Sequence, residues 1–91
     1  MPESLKTPEL TPVQKILKSI DELCVSIGVT PTEYEIDDTR IVFSLHRTSE
    51  EDTYRSLAAG IKSALTFDYQ MKNETEVIPN EWSGFDIVVY L

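Results

Sequence analysis

The chain predicts an α+β fold: a single small two-layer domain of order α-β-β-α-β-β, whose antiparallel sheet has two helices packed on one face. Three observations lead there. Apolar residues recur at helical spacing in two stretches, residues 13–27 and 54–65. Each stretch is followed by segments in which apolar residues alternate at strand spacing. Finally, 91 residues with 41% apolar content suffice for one thin core and no second domain. Residues 1–10, with Pro2, Pro8 and interspersed charges, read as a flexible arm, and residues 11–91 as the domain.

The first helix has a complete start and stop signal. Thr11 can cap it, Pro12 suits the first helical position, and Gln14 completes a capping box with Thr11. Val13, Ile16, Leu17, Ile20, Leu23, Cys24 and Ile27 fall on one face, and Gly28 supplies the left-handed stop. The stripe resembles a short coiled-coil seam, so a dimer through this helix stands beside ordinary core packing.

A hairpin follows, and its register can be derived. With Asp38 and Thr39 as a two-residue turn, Ile36 faces Ile41, Tyr34 faces Phe43 and Thr32 faces Leu45. One register then places the apolar positions of both strands on the same side, with Asp37 opposite Arg40. Asp-Thr is not a favoured turn dipeptide, which leaves a longer loop open. The other face carries Glu33, Glu35 and Asp37 on one strand, and Val42, Ser44 and His46 on the next.

The second helix is expected to start at Thr48 or Ser49, with Thr48 and Glu51 forming a second capping box. Its apolar face is Tyr54, Leu57, Ala58, Ile61, Ala64 and Leu65. The small stretch Ala58, Ala59 and Gly60 permits close approach of the first helix. Its far end is ambiguous, because Phe67, Tyr69 and Met71 alternate as in a strand. A short strand around residues 76–78 ends at Pro79, which suits an edge. A loop containing Trp82 leads to a last strand over residues 85–91, with Asp86, Val88 and Tyr90 on one side.

Charge narrows the function. Sixteen acidic residues against eight basic ones give a formal net charge of −8. That balance repels nucleic acid and anionic membrane, and favours a protein partner with a basic surface. No stretch in residues 1–10 resembles a secretory signal, and no run approaches the roughly 18 apolar residues of a membrane span. The expectation is a cytoplasmic protein, with the lone Cys24 acting as a small core hydrophobe.

No catalytic constellation is found. His46 is the single histidine, and no oxyanion-hole glycines accompany Ser44 beside it. One cysteine and one histidine cannot supply a zinc site, and the three glycines are isolated rather than grouped in a phosphate loop. The carboxylates of Glu33, Glu35 and Asp37 stand about 6.6–7 Å apart along a strand, a row that does not wrap a cation. No cofactor and no metal are expected.

Two readings remain. The first is a non-enzymatic interaction module, an adaptor or regulatory subunit, using the open sheet face. Its candidate residues are Glu33, Glu35, Asp37, Val42, His46, Trp82, Asp86, Val88 and Tyr90, with Val42, Val88 and Tyr90 as an apolar centre. The second is an acidic charge-mimic inhibitor, of nucleic-acid-mimic, immunity or phage anti-defence type, that occupies a basic site through its row of carboxylates. A metal-dependent enzyme ranks third. The strand pattern running to Leu91 also admits a homodimer through the C-terminal strand.

Overall fold

A computed structural model describes residues 10–46, 50–81 and 84–91. The expected arm over residues 1–10 falls almost wholly outside these, as do Thr48, Ser49 and Trp82. The element order is α1 (Pro12–Ile27), β1 (Glu35–Ile36), β2 (Arg40–Phe43), α2 (Glu51–Tyr69), β3 (Thr75–Pro79) and β4 (Phe85–Tyr90). This is the expected α-β-β-α-β-β series. The four strands form one antiparallel sheet in the order β1-β2-β4-β3.

Helix α1 starts as its sequence dictates. The Gln14 amide donates to Thr11 Oγ1 at 3.2 Å, and the Thr11 amide donates to Gln14 Oε1 at 2.9 Å. It ends at Gly28, whose φ of 77° is the left-handed conformation that a glycine adopts without steric cost. Ile16, Ile20 and Cys24 are buried, but Ile27, expected on the same face, is half exposed at the last turn. Fully burying an Ile side chain such as Ile16 or Ile20 contributes roughly 1.5–3 kcal/mol.

The two helices run antiparallel. Lys15 Nζ lies 5.4 Å above the Tyr69 ring, while Leu23 packs on Gly60. Helix α2 begins at Glu51, with Glu50 as a cap residue that makes no side-chain capping bond, so the second helix starts later than expected. It then runs through the ambiguous segment to Tyr69. Gln70 adopts φ 57°, its amide donating to Thr66 O and that of Met71 to Leu65 O, both at 3.0 Å. Phe67 points to solvent, which is why its alternation with Tyr69 looked like a strand.

The core lies between the helices and one face of the sheet. Ile16, Ile20 and Cys24 from α1 meet Tyr54, Leu57, Ile61 and Leu65 from α2, above Ile41, Phe43, Ile87 and Val89 from the sheet. A hydroxyl relay ties α2 to the sheet. Ser44 Oγ donates to Phe85 O at 2.6 Å and lies 3.1 Å from the Tyr54 hydroxyl, which accepts the Leu45 amide at 3.3 Å.

The hairpin turn is the predicted two-residue one. Asp37 N donates to Arg40 O, and Asp37 Oδ1 accepts from the Thr39 amide, the Thr39 hydroxyl and the Arg40 amide at 2.7, 2.8 and 3.0 Å. The Asp37 carboxylate thus stabilises a turn whose central dipeptide is unfavourable.

Ile36 pairs with Ile41 as expected, and the Tyr34 and Phe43 rings meet edge to face at 5.4 Å. Beyond them the register slips. Glu35 faces Val42 but Pro31, not Thr32, faces Leu45. That is four steps on the first segment (35 to 31) against three on the second (42 to 45), a bulge of one residue. Thr32 closes it by accepting the Ser44 amide on Oγ1 at 2.8 Å.

Strand β4 lies between β2 and β3, so both of its edges are hydrogen-bonded. Pairing of two copies through the C-terminal strand is therefore closed off; the free edges belong to β1 and β3. No helix among the described residues is long and apolar enough to cross a membrane.

Candidate functional site

With both helices on one side, no described helix packs on the other face of the sheet, and strand register fixes what that face presents. One row across it reads Glu35, Val42, Val88, Glu76, from β1 through β2 and β4 to β3. Carboxylates stand at the two edges and valines at the centre. The next row places Arg40 beside Tyr90.

The apolar centre is less open than the sequence implied. Val88 is only 1% exposed, Val42 is half-buried, and Tyr90 is 36% exposed. The Tyr90 hydroxyl donates to Glu76 Oε1, a diagonal link beside Val88 that raises the phenol above its ordinary pKa range. Val88 contributes packing rather than contact surface.

A concavity on this face is an open groove of about 470 Å³. Its lining includes Glu33, Glu35, Glu81 and Asp86 together with Val42 and Ser44, and among the described residues no basic side chain lines it. The bulge at residues 32–34 brings Glu33 to the rim. The opposite wall is set by Asn80, whose amide donates to Gly84 O and whose Oδ1 accepts the Gly84 amide, both at 3.0 Å. Asn80 Nδ2 then donates to Asp86 Oδ1 at 3.1 Å. Among the described residues, the side chains of Glu33, Glu35 and Glu81 have no hydrogen-bonding or ionic partner.

The predicted site residues therefore divide. Glu33, Glu35, Val42 and Asp86 come together in the groove. Asp37 is committed to the turn, where bonds from the Thr39 and Arg40 backbone and the Thr39 hydroxyl lower its pKa. Glu33, Glu35 and Asp37 thus do not form an even ladder, because a bulge separates the first two and the turn holds the third. His46 is exposed in the turn after Leu45, its amide donating to Thr30 O, and does not line the groove. Trp82 lies outside the described residues.

Asn80 and Glu81 escaped the sequence reading. The signal was available: pairing Pro79 with Phe85 sets residues 80 and 84 across the mouth of a hairpin that ends at the groove.

Other chemistry finds no support here. Among the described residues no cluster of three or more His, Cys, Asp or Glu side chains is arranged to hold a metal ion. Burial, reinforced by the Asp21 charge, pushes the Cys24 thiol up to about 11, the opposite of what a reactive thiolate needs. The chain matches no protein-family model, and no curated protein is significantly similar to it in sequence.

Proposed function

We propose that this protein is a non-enzymatic interaction module that receives a basic segment of a partner protein on the open face of its sheet. The observation that carries the reading is the groove itself: four carboxylates around one concavity, three of them without a partner among the described residues, in a chain of net charge −8. Lysine and arginine side chains have stems that pack on Val42 and cationic heads that reach the rim. The mimic-inhibitor reading has less to stand on, because its evenly spaced row is broken at the bulge and at the turn. A reducing cytoplasm suits a protein with one buried, unpaired thiol.

The test is a capture experiment at about 0.1 M and about 0.5 M salt, a range over which exposed charge pairs are increasingly screened. The bait carrying Glu35→Lys and Asp86→Lys should lose partners that the native chain and a Glu22→Lys control both retain. Identical captured proteins on all three baits would refute the assignment of the groove.

A further inference from the structure

Among the described residues, the longer edge strand of the sheet, β3, pairs on one side only, and the order of its bonds determines what the other side offers. Tyr90 N donates to Glu74 O at one end of the β3–β4 ladder, and Asn80 N donates to Gly84 O at the other. Antiparallel alternation then turns the backbone groups of Glu74, Glu76 and Ile78 toward β4, and those of Thr75, Val77 and Pro79 outward. Alongside runs a second groove of about 410 Å³, bounded by Arg55, Ala58, Ala59 and Lys62 of α2 and by Thr75 and Val77. Outward strand groups beside a shallow helix–strand groove, with Ala58 and Ala59 at its centre and Arg55 and Lys62 at its ends, each ion-paired to a glutamate, match the geometry by which an extended peptide adds to a sheet.

We propose that β3 is a docking edge for an extended, basic segment of a partner protein, which adds as a fifth strand. Alternate side chains of that strand would face opposite ways. Those on the helix side lie over Thr75 and Val77 and pack against Ala58 and Ala59. Those on the open side stand opposite Glu76, an exposed carboxylate that the Tyr90 hydroxyl holds in place. Charge complementarity therefore asks for lysine or arginine at the open-face positions and small apolar residues between them. Lys62 and Glu74 form an exposed ion pair at 2.9 Å that closes the Thr75 end and limits the site to the length of β3. Such a pair is worth little and yields readily.

A second copy of this chain fits the edge poorly. Outward residues must meet outward residues, and once the two antiparallel registers that set Pro79 against Val77 or against itself are put aside for want of its amide proton, three short ones remain. Thr75 against Thr75 sets Glu74 of one copy opposite Glu76 of the other. Thr75 against Val77 sets Glu76 opposite Glu76. Val77 against Val77 sets Pro79, which has no amide proton, opposite Thr75, and loses a bond on each side. The proposal does not rest on the acidic groove, which lies on the open face.

The test is an amide-resolved NMR titration with a capped peptide of alternating lysine and valine, seven residues long, and its glutamate–valine counterpart. The lysine peptide should shift the Thr75 and Val77 amides and slow their exchange with solvent, also in the Glu35→Lys, Asp86→Lys variant. Val77→Pro, tolerated where an edge amide faces solvent, should abolish this. If that variant fails to fold, Glu76→Lys serves instead. It should weaken the lysine peptide by about fivefold, as loss of a strong cross-strand charge pair predicts, and strengthen the glutamate peptide. Shifts confined to Glu33, Glu35 and Asp86, no binding at millimolar peptide, or concentration-dependent protection without peptide would each overturn the proposal.

Discussion

Tyr54→Phe should be among the most damaging single-atom changes in this protein, and the reason can be counted in protons. Ser44 Oγ carries one hydrogen, and its 2.6 Å contact with Phe85 O claims it. The Tyr54 hydroxyl lies within reach of two acceptors, Ser44 Oγ and Leu45 O, for its one proton, and its oxygen accepts the buried Leu45 amide. Removing the phenol oxygen deletes its contacts with Ser44 Oγ and Leu45 O and leaves the Leu45 N–H without this acceptor at a residue only 5% exposed. A lost hydrogen bond costs about 1 kcal/mol and an orphaned buried donor about 1–3 kcal/mol, so the expected loss is about 2–3 kcal/mol. For a domain of this size that is a fall in Tm of roughly 10–20 °C.

Urea denaturation followed by circular dichroism measures the loss directly. With an m-value of about 1–2 kcal/mol/M, the midpoint should move by roughly 1–3 M. A double-mutant cycle with Ser44→Ala gives the sharper check, since residues that share a proton relay do not add. A loss under about 0.5 kcal/mol, or strict additivity with Ser44→Ala, would refute the relay.

The same substitution at two glycines should have opposite signs. A Cβ at Gly60 meets only the two Leu23 δ-carbons at 3.6 Å, an ordinary contact, so Gly60→Ala should stabilise by roughly 0.5–1 kcal/mol, whereas Gly28→Ala at φ 77° should destabilise by roughly 1–2 kcal/mol; thermal melts decide both. Cys24, 1% exposed, should resist a thiol reagent at pH 8 until the protein unfolds, and fast labelling of the native chain would contradict its burial. Its raised pKa contributes stability that is complete below the ordinary thiol value of 9.0 and is lost as pH rises through about 11. Tyr34, raised mainly by burial and also by Asp21, shifts the same way, so Cys24→Ala should remove only part of the alkaline loss. Asp37 has the opposite sign: its pKa is lowered, so its contribution is present above about 4 and fades as pH falls through the depressed value. Asp37→Asn should therefore flatten the acid limb of a stability–pH curve, and an unchanged acid limb would count against the turn bonds.

The fold was legible where local signals agreed with burial. The capping box at Thr11 and Gln14, the stop at Gly28 and the Ile36–Ile41 register all survive in the structure. Misreadings occurred where a side chain did a backbone's work. Thr32 accepts the Ser44 amide and so absorbs an extra residue, and no residue period reports a hydroxyl standing in for a carbonyl. Phe67 and Tyr69 alternate like a strand because Phe67 is wholly on the outer surface of α2, an exposed aromatic that periodicity counts as core. The groove was half legible. Glu33, Glu35 and Asp86 follow from strand alternation, but Asn80 and Glu81 depend on how β3 and β4 close their hairpin, a tertiary fact. Val88 shows the converse: placed on the correct face, it is nonetheless covered.

The acidic groove gives the fold one side-chain bond, from Asn80 to Asp86, and otherwise concentrates like charge. Across the open face, register keeps carboxylates from sitting directly opposite one another, since Glu35 meets Val42 and Glu76 meets Val88. Like charges therefore cost little locally, yet Glu33, Glu35, Glu81 and Asp86 still converge on one concavity with no cation among its described lining residues. Apart from Asp86, which accepts from Asn80 Nδ2, these charges repel without a side-chain bond among the described residues, at a small cost in stability, which is consistent with the proposed binding surface. Glu33→Gln with Glu35→Gln should accordingly leave stability unchanged or raise it, by up to about 0.5 kcal/mol at low salt. The gain should vanish at about 0.5 M salt, where the repulsion is screened in the native chain as well. If the double variant instead unfolds more easily at both salts, these carboxylates hold the bulge in place, and the groove is a structural feature rather than a binding one.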